Sequence, residues 1–370
     1  MDSVLIVKTS AIGDVVQTFG VLEYLRRRFP HAKIDWVVEK GISSLLLAHP
    51  YLNDVIILDS KRWRKSPFAK SERFSMQAFA ERLQRTTYDV VFDLQGNTKS
   101  GLIDFFCKAR HKVGFGRKSV AEIPNLLFTN HKIEIDRSSS IYDQYLSLAK
   151  SYFQDTEPFL PKGVSLRITE QERERLQAVL SLKALRSPLK FMVALGSNWE
   201  NKRISEETSL TLISTIAKNH NASFLVVYAS ESEKQKAENL VRALPDQCVA
   251  IGEMSLPFWQ ALMGSMKGVI SMDSAALHLA ATTSTPTFSV FGPSSARAYK
   301  PEGDQHHAVQ GSCPYGKTFA KRCPILRSCK TGACIKSLNA KDLYESFSQW
   351  HKNLQALEGC QNQCGIQQLL

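Results

Sequence analysis

Asp14 is the residue near the start of the chain whose type and position best suit acid–base chemistry. Residues 4–7 form an apolar run with the length of a buried parallel strand, and the polar turn after it has Gly13 at its centre. A helix is predicted over residues 15–28. Asp14 therefore falls at the carboxyl end of a first strand, where open α/β sheets place their chemistry, and its carboxylate is a candidate general base. An N-cap role suits the same position, and the spacing alone leaves both interpretations open.

Four further segments combine polar and basic residues at spacings that could hold a charged substrate. They are K-R-W-R-K at residues 61–65, D-L-Q-G-N-T-K-S at residues 93–100, Gly196-Ser197 followed by Lys202-Arg203, and D-S-A-A-L-H at residues 273–278.

These motifs, in this order after the opening segment, resemble those of glycosyltransferase family 9, the ADP-heptose:lipopolysaccharide heptosyltransferases. The basic segment is similar to R-R-W-R-K of the transferase that adds the first heptose. The other three resemble the family's D-x-Q-G-x-x-K-S, G-[ST]…K-[RH] and D-[ST]-G-x-x-H motifs. The chain departs from the pattern at Ala275, where the family usually has Gly, and at Ile204-Ser205, where it usually has Trp-Pro.

The resemblance implies an α/β protein of the GT-B class, with two doubly wound Rossmann-like domains facing a central cleft. It implies an inverting transfer of L-glycero-D-manno-heptose from ADP-heptose, with no cofactor required. The implied acceptor is the Kdo region of a Kdo–lipid A type precursor at the inner membrane surface. Two alternatives stay open: a family-9 transferase with another donor sugar or a later core acceptor, and a catalytically inactive sugar-nucleotide binding protein.

On the donor side, the resemblance places the nucleotide sugar in the second half of the chain. Ser274 and the backbone N–H groups around Ala275 would cradle phosphate oxygens. Lys202 would offset the charge of the leaving diphosphate. The remaining donor-side candidates are Ser197, Arg203, Asp273 and His278. A solvated basic turn at Lys202 and a buried structural histidine at position 278 are the simpler interpretations.

On the acceptor side, basic residues would hold the Kdo carboxylates and the lipid A phosphates, because arginine pairs with such groups in a bidentate manner. The basic candidates are Arg62, Arg64, Lys65, Lys99 and Arg117. The other acceptor-side candidates are Ser10, Gly13 and Gln95, of which Gln95 would contact sugar hydroxyls. A solvated run of charge is the alternative for the basic segment. Trp63 argues instead that this segment is docked on the protein.

The pattern of strand-like and helix-like segments predicts a parallel sheet in each half of the chain. Strands are expected near residues 4–8, 34–39, 55–58, 89–94, 112–115, 190–195, 223–229, 249–251, 268–272 and 287–291. Residues 60–73 are expected to be an irregular, mobile surface loop. Prolines and a glycine near residues 155–163 indicate a linker. The predicted domains are an acceptor-binding one at 1–160 and a donor-binding one at 165–340. A C-terminal helix with a tail is predicted at 341–370, and the resemblance to GT-B enzymes implies that this helix crosses back to the first domain.

Composition limits the partners. The 370-residue chain carries a formal net charge of +12, has no apolar run long enough to span a bilayer, and begins without a recognisable secretory signal. We expect a cytoplasmic protein, peripheral on the inner membrane, whose charge suits an anionic acceptor. No zinc finger or aromatic RNA-binding pattern is present, which argues against nucleic acid. The sequence also lacks G-x-G-x-x-G after a strand, a P-loop, and a D-x-D metal motif after a strand.

Cysteines cluster late in the chain, at Cys313, Cys323, Cys329 and Cys334. Four thiols in so short a segment could bind zinc, but their spacing differs from the paired C-x-x-C of a zinc ribbon. The favoured prediction is therefore a loop feature without metal, with a zinc cluster as the alternative. Disulfides are not expected in a cytoplasmic protein.

Overall fold

The computed structural model describes residues 1–66, 68–197 and 199–367, with side chains described up to residue 357. The chain divides into two compact units. The first contains Met1–Thr169 and Ser255–Gln260, and the second contains Glu170–Met254 and Ala261–Leu370.

The first unit is built on a six-stranded parallel sheet in the order β3-β2-β1-β4-β5-β6. The strands are β1 (Ser3–Val7), β2 (Lys33–Glu39), β3 (Asp54–Leu58), β4 (Thr87–Asp93), β5 (Lys108–Phe115) and β6 (His131–Ile133). Val4 to Val7 of β1 are fully buried, as expected for a central strand covered on both faces. The prediction missed β6, because this edge strand has only three residues and is only partly buried.

Helices connect these strands. They are α1 (Ile12–Val16), α2 (Phe19–Arg28), α3 (Ser43–Leu47), α4 (Ser60–Lys65), α5 (Lys70–Gln84), α6 (Thr98–Phe106) and α7 (Ile141–Tyr152). The prediction of one helix over residues 15–28 was wrong, because the helix begins at Ile12 and is interrupted at Gln17 and Thr18. The Thr18 hydroxyl donates to the carbonyl of Val15 at 2.6 Å, next to this interruption.

The prediction of an irregular loop over residues 60–73 was also wrong. This segment contains α4 and the first turn of α5. Trp63 joins the two helices, since its indole N–H donates to Ser75 Oγ at 3.1 Å and its ring packs edge-on against Phe79. The expectation that Trp63 docks the basic segment is confirmed.

The second unit repeats the topology of the first. Its six parallel strands have the order β12-β11-β10-β7-β8-β9, which, read from β9, is the same order by sequence as in the first sheet. The strands are β7 (Lys190–Ala194), β8 (Ser223–Val227), β9 (Cys248–Ile251), β10 (Gly268–Met272), β11 (Thr287–Phe291) and β12 (His306–Gln310). β12 was not predicted, because its polar sequence and partial burial mark an edge strand.

The remaining helices are α8 (Glu170–Leu180), α9 (Glu206–His220), α10 (Glu231–Ala243), α11 (Leu256–Gly264), α12 (Ala275–Ala281), α13 (Ala296–Tyr299), α14 (Ala333–Lys336) and α15 (Ala340–Gln367). α15 packs into the core of the second unit through Leu343, Phe347, Trp350 and Leu354, which are all buried. The tail predicted after the C-terminal helix is itself helical as far as Gln367, and residues 368–370 lie outside the described residues. None of the helices within the described part of the chain is long and apolar enough to cross a bilayer.

Candidate functional site

Each sheet has two adjacent central strands from which the chain winds outwards in opposite directions. The polar segments singled out in the sequence directly follow these central strands. The chain winds outwards in one direction from β1 and in the other from β4, and likewise from β7 and β10. Open α/β sheets bind ligands in the crevice outside the carboxyl ends of such strands. Asp14 and Gln95 follow β1 and β4, while Lys202 and Asp273 follow β7 and β10.

Asp14 is the third residue of α1 and not its N-cap. Its Oδ2 accepts the backbone N–H of Ala11 at 3.1 Å, so the carboxylate closes the first turn of the helix from within. Asp14 is only partly buried, and so is Gly13, which lies in the same helix and not in the preceding turn. The carboxylate is therefore fixed by a hydrogen bond and still open to a reacting group.

Gln95 holds the loop before Asp14. Its Oε1 accepts the backbone N–H groups of Thr9 at 3.1 Å and Ser10 at 3.2 Å. Gln95 is in turn positioned by Asp93, whose buried Oδ1 accepts the N–H of Gln95 at 2.8 Å. The structure thus brings Ser10, Asp14 and Gln95 together at the ends of β1 and β4. Gln95 is one of the predicted acceptor-side residues, and its carbonyl oxygen positions the loop that precedes Asp14.

Lys8, directly after β1, is buried beneath this loop. Its Nζ donates to the hydroxyl of Tyr145 at 2.7 Å and to the carbonyl of Leu94 at 3.0 Å. Burial lowers the pKa of Lys8 to about 8, against the opposing effect of the carboxylates of Asp14 and Asp93. Lys8 therefore places a positive charge near Asp14 at neutral pH.

The predicted acceptor-binding cations fall into two groups. Two are paired: Arg62 Nη2 lies 2.8 Å from Glu72 Oε1, and Lys99 Nζ lies 2.8 Å from Glu39 Oε1. The other three, Arg64, Lys65 and Arg117, are exposed.

In the second unit, Lys202 and Asp273 form a buried ion pair through Nζ and Oδ2. The hydroxyl of Ser294 donates to the same oxygen, and His278 Nε2 lies 3.8 Å from Oδ1. Burial alone would raise the pKa of Asp273, but Lys202 and His278 outweigh it and hold the pKa below its ordinary value. Asp273 is therefore a carboxylate at neutral pH that positions the Lys202 ammonium.

Arg203 and Gly196 line a small pocket, open to solvent, at the ends of β7 and β8. Arg203 Nε donates to the Ser197 carbonyl at 2.8 Å, and Arg203 Nη2 lies 3.3 Å from Glu233 Oε1. Gly196 allows this arrangement, because a Cβ at this position would lie 2.4 Å from Glu233 Oε1. The pocket thus combines apolar walls with a carboxylate and cations, which suits a polar ligand with an apolar face.

The 273–278 segment turns from β10 into α12, which begins at Ala275. Ser274 is the N-cap residue, and its hydroxyl makes no capping hydrogen bond. His278 lies on this short helix and is buried.

The four clustered cysteines line one pocket of about 360 Å³ in the second unit. Burial, together with the three neighbouring thiols, raises the pKa of Cys334 to about 11, while the backbone N–H of Gly332 and the hydroxyl of Thr331 lower that of Cys329. Within the residues that the structure describes, no group of three or more His, Cys, Asp or Glu side chains is arranged to hold a metal ion.

Sequence reasoning missed Glu39 and Glu233, the carboxylates that partner Lys99 and Arg203. Each had a detectable pattern. Glu39 ends the buried run of β2 at the carboxyl edge of the sheet. Glu233 is the fourth residue of S-E-S-E, which matches the sequence signature of a capping box, and Ser230 Oγ accepts its N–H at the start of α10.

The family model of glycosyltransferase family 9 (heptosyltransferase) matches residues 76–328, more than half of the chain. The chain belongs to this family. It is 26% identical over 293 residues to lipopolysaccharide heptosyltransferase 1 of Pseudomonas aeruginosa, covering 79% of each chain. It is 28% identical over 291 residues to lipopolysaccharide heptosyltransferase 1 of Escherichia coli K12, covering 78% of this chain and 88% of the relative.

Solved structures of family-9 enzymes share the fold. E. coli heptosyltransferase WaaC with ADP superposes with a TM-score of 0.77 at 23% identity, covering 94% of this chain and 99% of the other. E. coli ADP-heptose lps heptosyltransferase II gives a TM-score of 0.70 at 18% identity, covering 96% and 100%. The predicted GT-B class with two Rossmann-like sheets is confirmed.

Proposed function

We propose that this family-9 enzyme is an inverting glycosyltransferase. It moves L-glycero-D-manno-heptose from ADP-heptose to the Kdo region of a lipopolysaccharide inner-core precursor. The observation that carries the proposal is the collection of reactive side chains at the ends of β1 and β4 in one sheet and of β7 and β10 in the other. The 26–28% identity with several lipopolysaccharide heptosyltransferases 1 supports the choice of substrates.

Asp14 acts as the general base. The acceptor hydroxyl gives its proton to the Asp14 carboxylate as its oxygen forms a bond to the anomeric carbon of heptose. The bond from that carbon to the diphosphate breaks in the same displacement, so the configuration is inverted and ADP leaves. The hydrogen bond from the Ala11 N–H supports this role by fixing the orientation of the carboxylate.

The second unit binds the donor and stabilises the leaving group. Lys202, held in place by Asp273, provides a fixed positive charge for the diphosphate, which is why we propose that no metal is required. Ser197, Ser274 and the backbone at Ala275 bind phosphate oxygens. Arg203 and Glu233 line the pocket that takes the nucleoside, where a carboxylate suits ribose hydroxyls. His278 supports Asp273 from α12.

The first unit binds the acceptor. Ser10, Gly13 and Gln95 form the loop around its hydroxyl, while Arg62, Arg64, Lys65, Lys99 and Arg117 supply positive charge for the Kdo carboxylates and lipid A phosphates. An anionic, lipid-linked acceptor implies a cytoplasmic enzyme that works at the inner membrane surface.

The test is to incubate the purified protein with ADP-heptose and Kdo–lipid A and to identify the product by mass spectrometry. We expect addition of one heptose with release of ADP, unchanged after treatment with EDTA. Turnover with another sugar nucleotide only would replace the donor assignment. Tight ADP-heptose binding without turnover on any Kdo-bearing acceptor would favour the inactive binding protein.

A further inference from the structure

The first unit carries a group of apolar side chains on two adjoining elements that the proposed chemistry does not use. It consists of Leu102, Phe105 and Phe106 on α6 and of Ile123, Leu127 and Phe128 on the adjoining 3₁₀ turn, and we call it the α6 patch. Leu127 is 83% exposed and Phe105 is 64% exposed. The ring centroids of Phe105 lie 5.4 Å from Phe106 and 6.2 Å from Phe128, so these side chains form one cluster. Exposed apolar patches of this kind mark interaction sites.

The α6 patch is held on a rigid base. Asn125, at the centre of the turn, is buried, and its Nδ2 donates to Asp93 Oδ2 at 2.6 Å and to the carbonyl of Asn97 at 2.9 Å. Gly101 lets the turn approach α6 closely, since a Cβ there would lie 2.4 Å from the ring of Phe128. Buried hydrogen bonds and a close contact at Gly101 therefore hold these apolar side chains in place at the surface.

The sequence around the α6 patch is strongly basic. Residues 97–132 contain seven Lys or Arg and only two Asp or Glu. One of the two acids, Asp104, is buried, and the other, Glu122, accepts hydrogen bonds from the N–H and hydroxyl of Thr98. The exposed cations are Lys108, Arg110, Arg117, Lys118 and Lys132.

We propose that the α6 patch docks the enzyme onto an anionic phospholipid bilayer. The apolar side chains enter the headgroup region, and the surrounding Lys and Arg side chains pair with lipid phosphates, as in interfacial membrane-binding helices. The positive charge argues against a second copy of the chain on this surface, because the two patches would repel each other. This inference rests on the proposed function, whose acceptor is lipid-linked, and it specifies the surface that brings the enzyme to that acceptor.

The test uses the full-length protein and sedimentation with vesicles, without any sugar substrate. Vesicles of phosphatidylethanolamine and phosphatidylglycerol are compared with vesicles of phosphatidylcholine. We expect the wild type to bind the anionic vesicles, and binding to weaken as salt is raised. The double variant Phe105→Ser with Leu127→Ser should bind the anionic vesicles at least about tenfold more weakly, because two inserting side chains are lost.

The matched control is Leu160→Ser with Leu182→Ser, which removes two other exposed leucines, 70% and 41% exposed, and should bind as the wild type does. Circular dichroism and heptose transfer to a deacylated, water-soluble Kdo acceptor check that the patch variant is folded. Equal vesicle binding by wild type and patch variant would overturn the proposal. So would a wild-type dimer in analytical ultracentrifugation that the patch variant abolishes. Vesicle binding without any transferase activity would leave the docking surface standing and overturn the proposed function.

Discussion

The Lys202 ammonium and the Asp273 carboxylate form a buried ion pair beyond the ends of β7 and β10. Both side chains are at least 90% buried, and Asp273 also accepts a hydrogen bond from Ser294. A buried ammonium without a counter-charge would carry a large desolvation cost. Asp273 therefore offsets this cost and holds the Lys202 ammonium in a fixed position.

Removing the charge of Asp273 should destabilise the second unit. For Asp273→Asn we expect a loss of about 3 kcal/mol in the free energy of unfolding, because Lys202 stays buried without its partner. The double variant Lys202→Met with Asp273→Leu should recover much of this loss without recovering activity. Urea unfolding of both, with the exposed Asp246→Asn as control, provides the measurement. A single variant as stable as the wild type would contradict the expectation.

The same ion pair predicts a dependence on pH. The pKa of Asp273 in the folded protein lies below its ordinary value of 3.8, so its stabilising effect is fully present above about pH 4. It is lost as the pH falls through the lower, folded-state pKa. The stability difference between the wild type and Asp273→Asn should therefore shrink in acid, and a difference that grows on acidification would argue against the pair.

Replacement of Asp14 tests the proposed base. We expect Asp14→Asn to lower kcat at least about 100-fold, because an amide cannot take the acceptor proton, with little change in the KM for ADP-heptose. ADP release on Kdo–lipid A measures both constants. Asp2→Asn, which changes a fully exposed carboxylate of the same unit, is the control and should leave kcat unchanged. If Asp14→Asn matches the wild type in kcat, another group is the base.

Lys8 should make the stability of the first unit rise with pH. Its folded-state pKa of about 8 lies below the ordinary 10.5, so between these values the unfolded chain binds more protons and folding becomes more favourable. The gain is about 3 kcal/mol between pH 8 and pH 10.5. The difference between the wild type and Lys8→Met in urea unfolding isolates this effect from other groups that titrate in this range. No change in that difference across the range would show that Lys8 is not buried as described.

A side chain at position 196 should disturb the pocket beside β7 by moving Glu233. A methyl group there would meet the Glu233 carboxylate, so Gly196→Ala should displace Glu233 and weaken ADP binding about tenfold. Isothermal titration calorimetry measures the Kd. Gly41→Ala is the matched control, because a Cβ at Gly41 has no atom within 4 Å. Unchanged ADP affinity in Gly196→Ala would separate Glu233 from the nucleotide site.

The sequence was sufficient for the parallel sheets, because central strands such as β1 and β10 are short apolar runs that follow one another at regular intervals. It was not sufficient for α4 or the edge strands. α4 is stabilised by the contacts of Trp63 with α5, which are not visible in its own sequence. The edge strands β6 and β12 are only partly buried, so their sequences lack the apolar run of a central strand.

For the candidate site, sequence reasoning found the charged residues but not their partners. Lys202 and Asp273 were each singled out, but they are 71 positions apart and their pairing depends on β7 and β10 becoming neighbours in the second sheet. Likewise, Gln95 was assigned to a substrate because nothing in its spacing shows that its oxygen binds the loop before Asp14. Residue type can be read locally, whereas hydrogen-bond partners depend on the tertiary fold.

The identical strand order of the two sheets has an evolutionary consequence. Each unit holds its own polar loops on its own pair of central strands. Under the proposed function, in which the first unit binds the acceptor and the second binds the nucleotide, selectivity for a new acceptor can therefore arise by changes in the first unit alone. Such independent variation allows one architecture to diversify along a series of successive sugar additions.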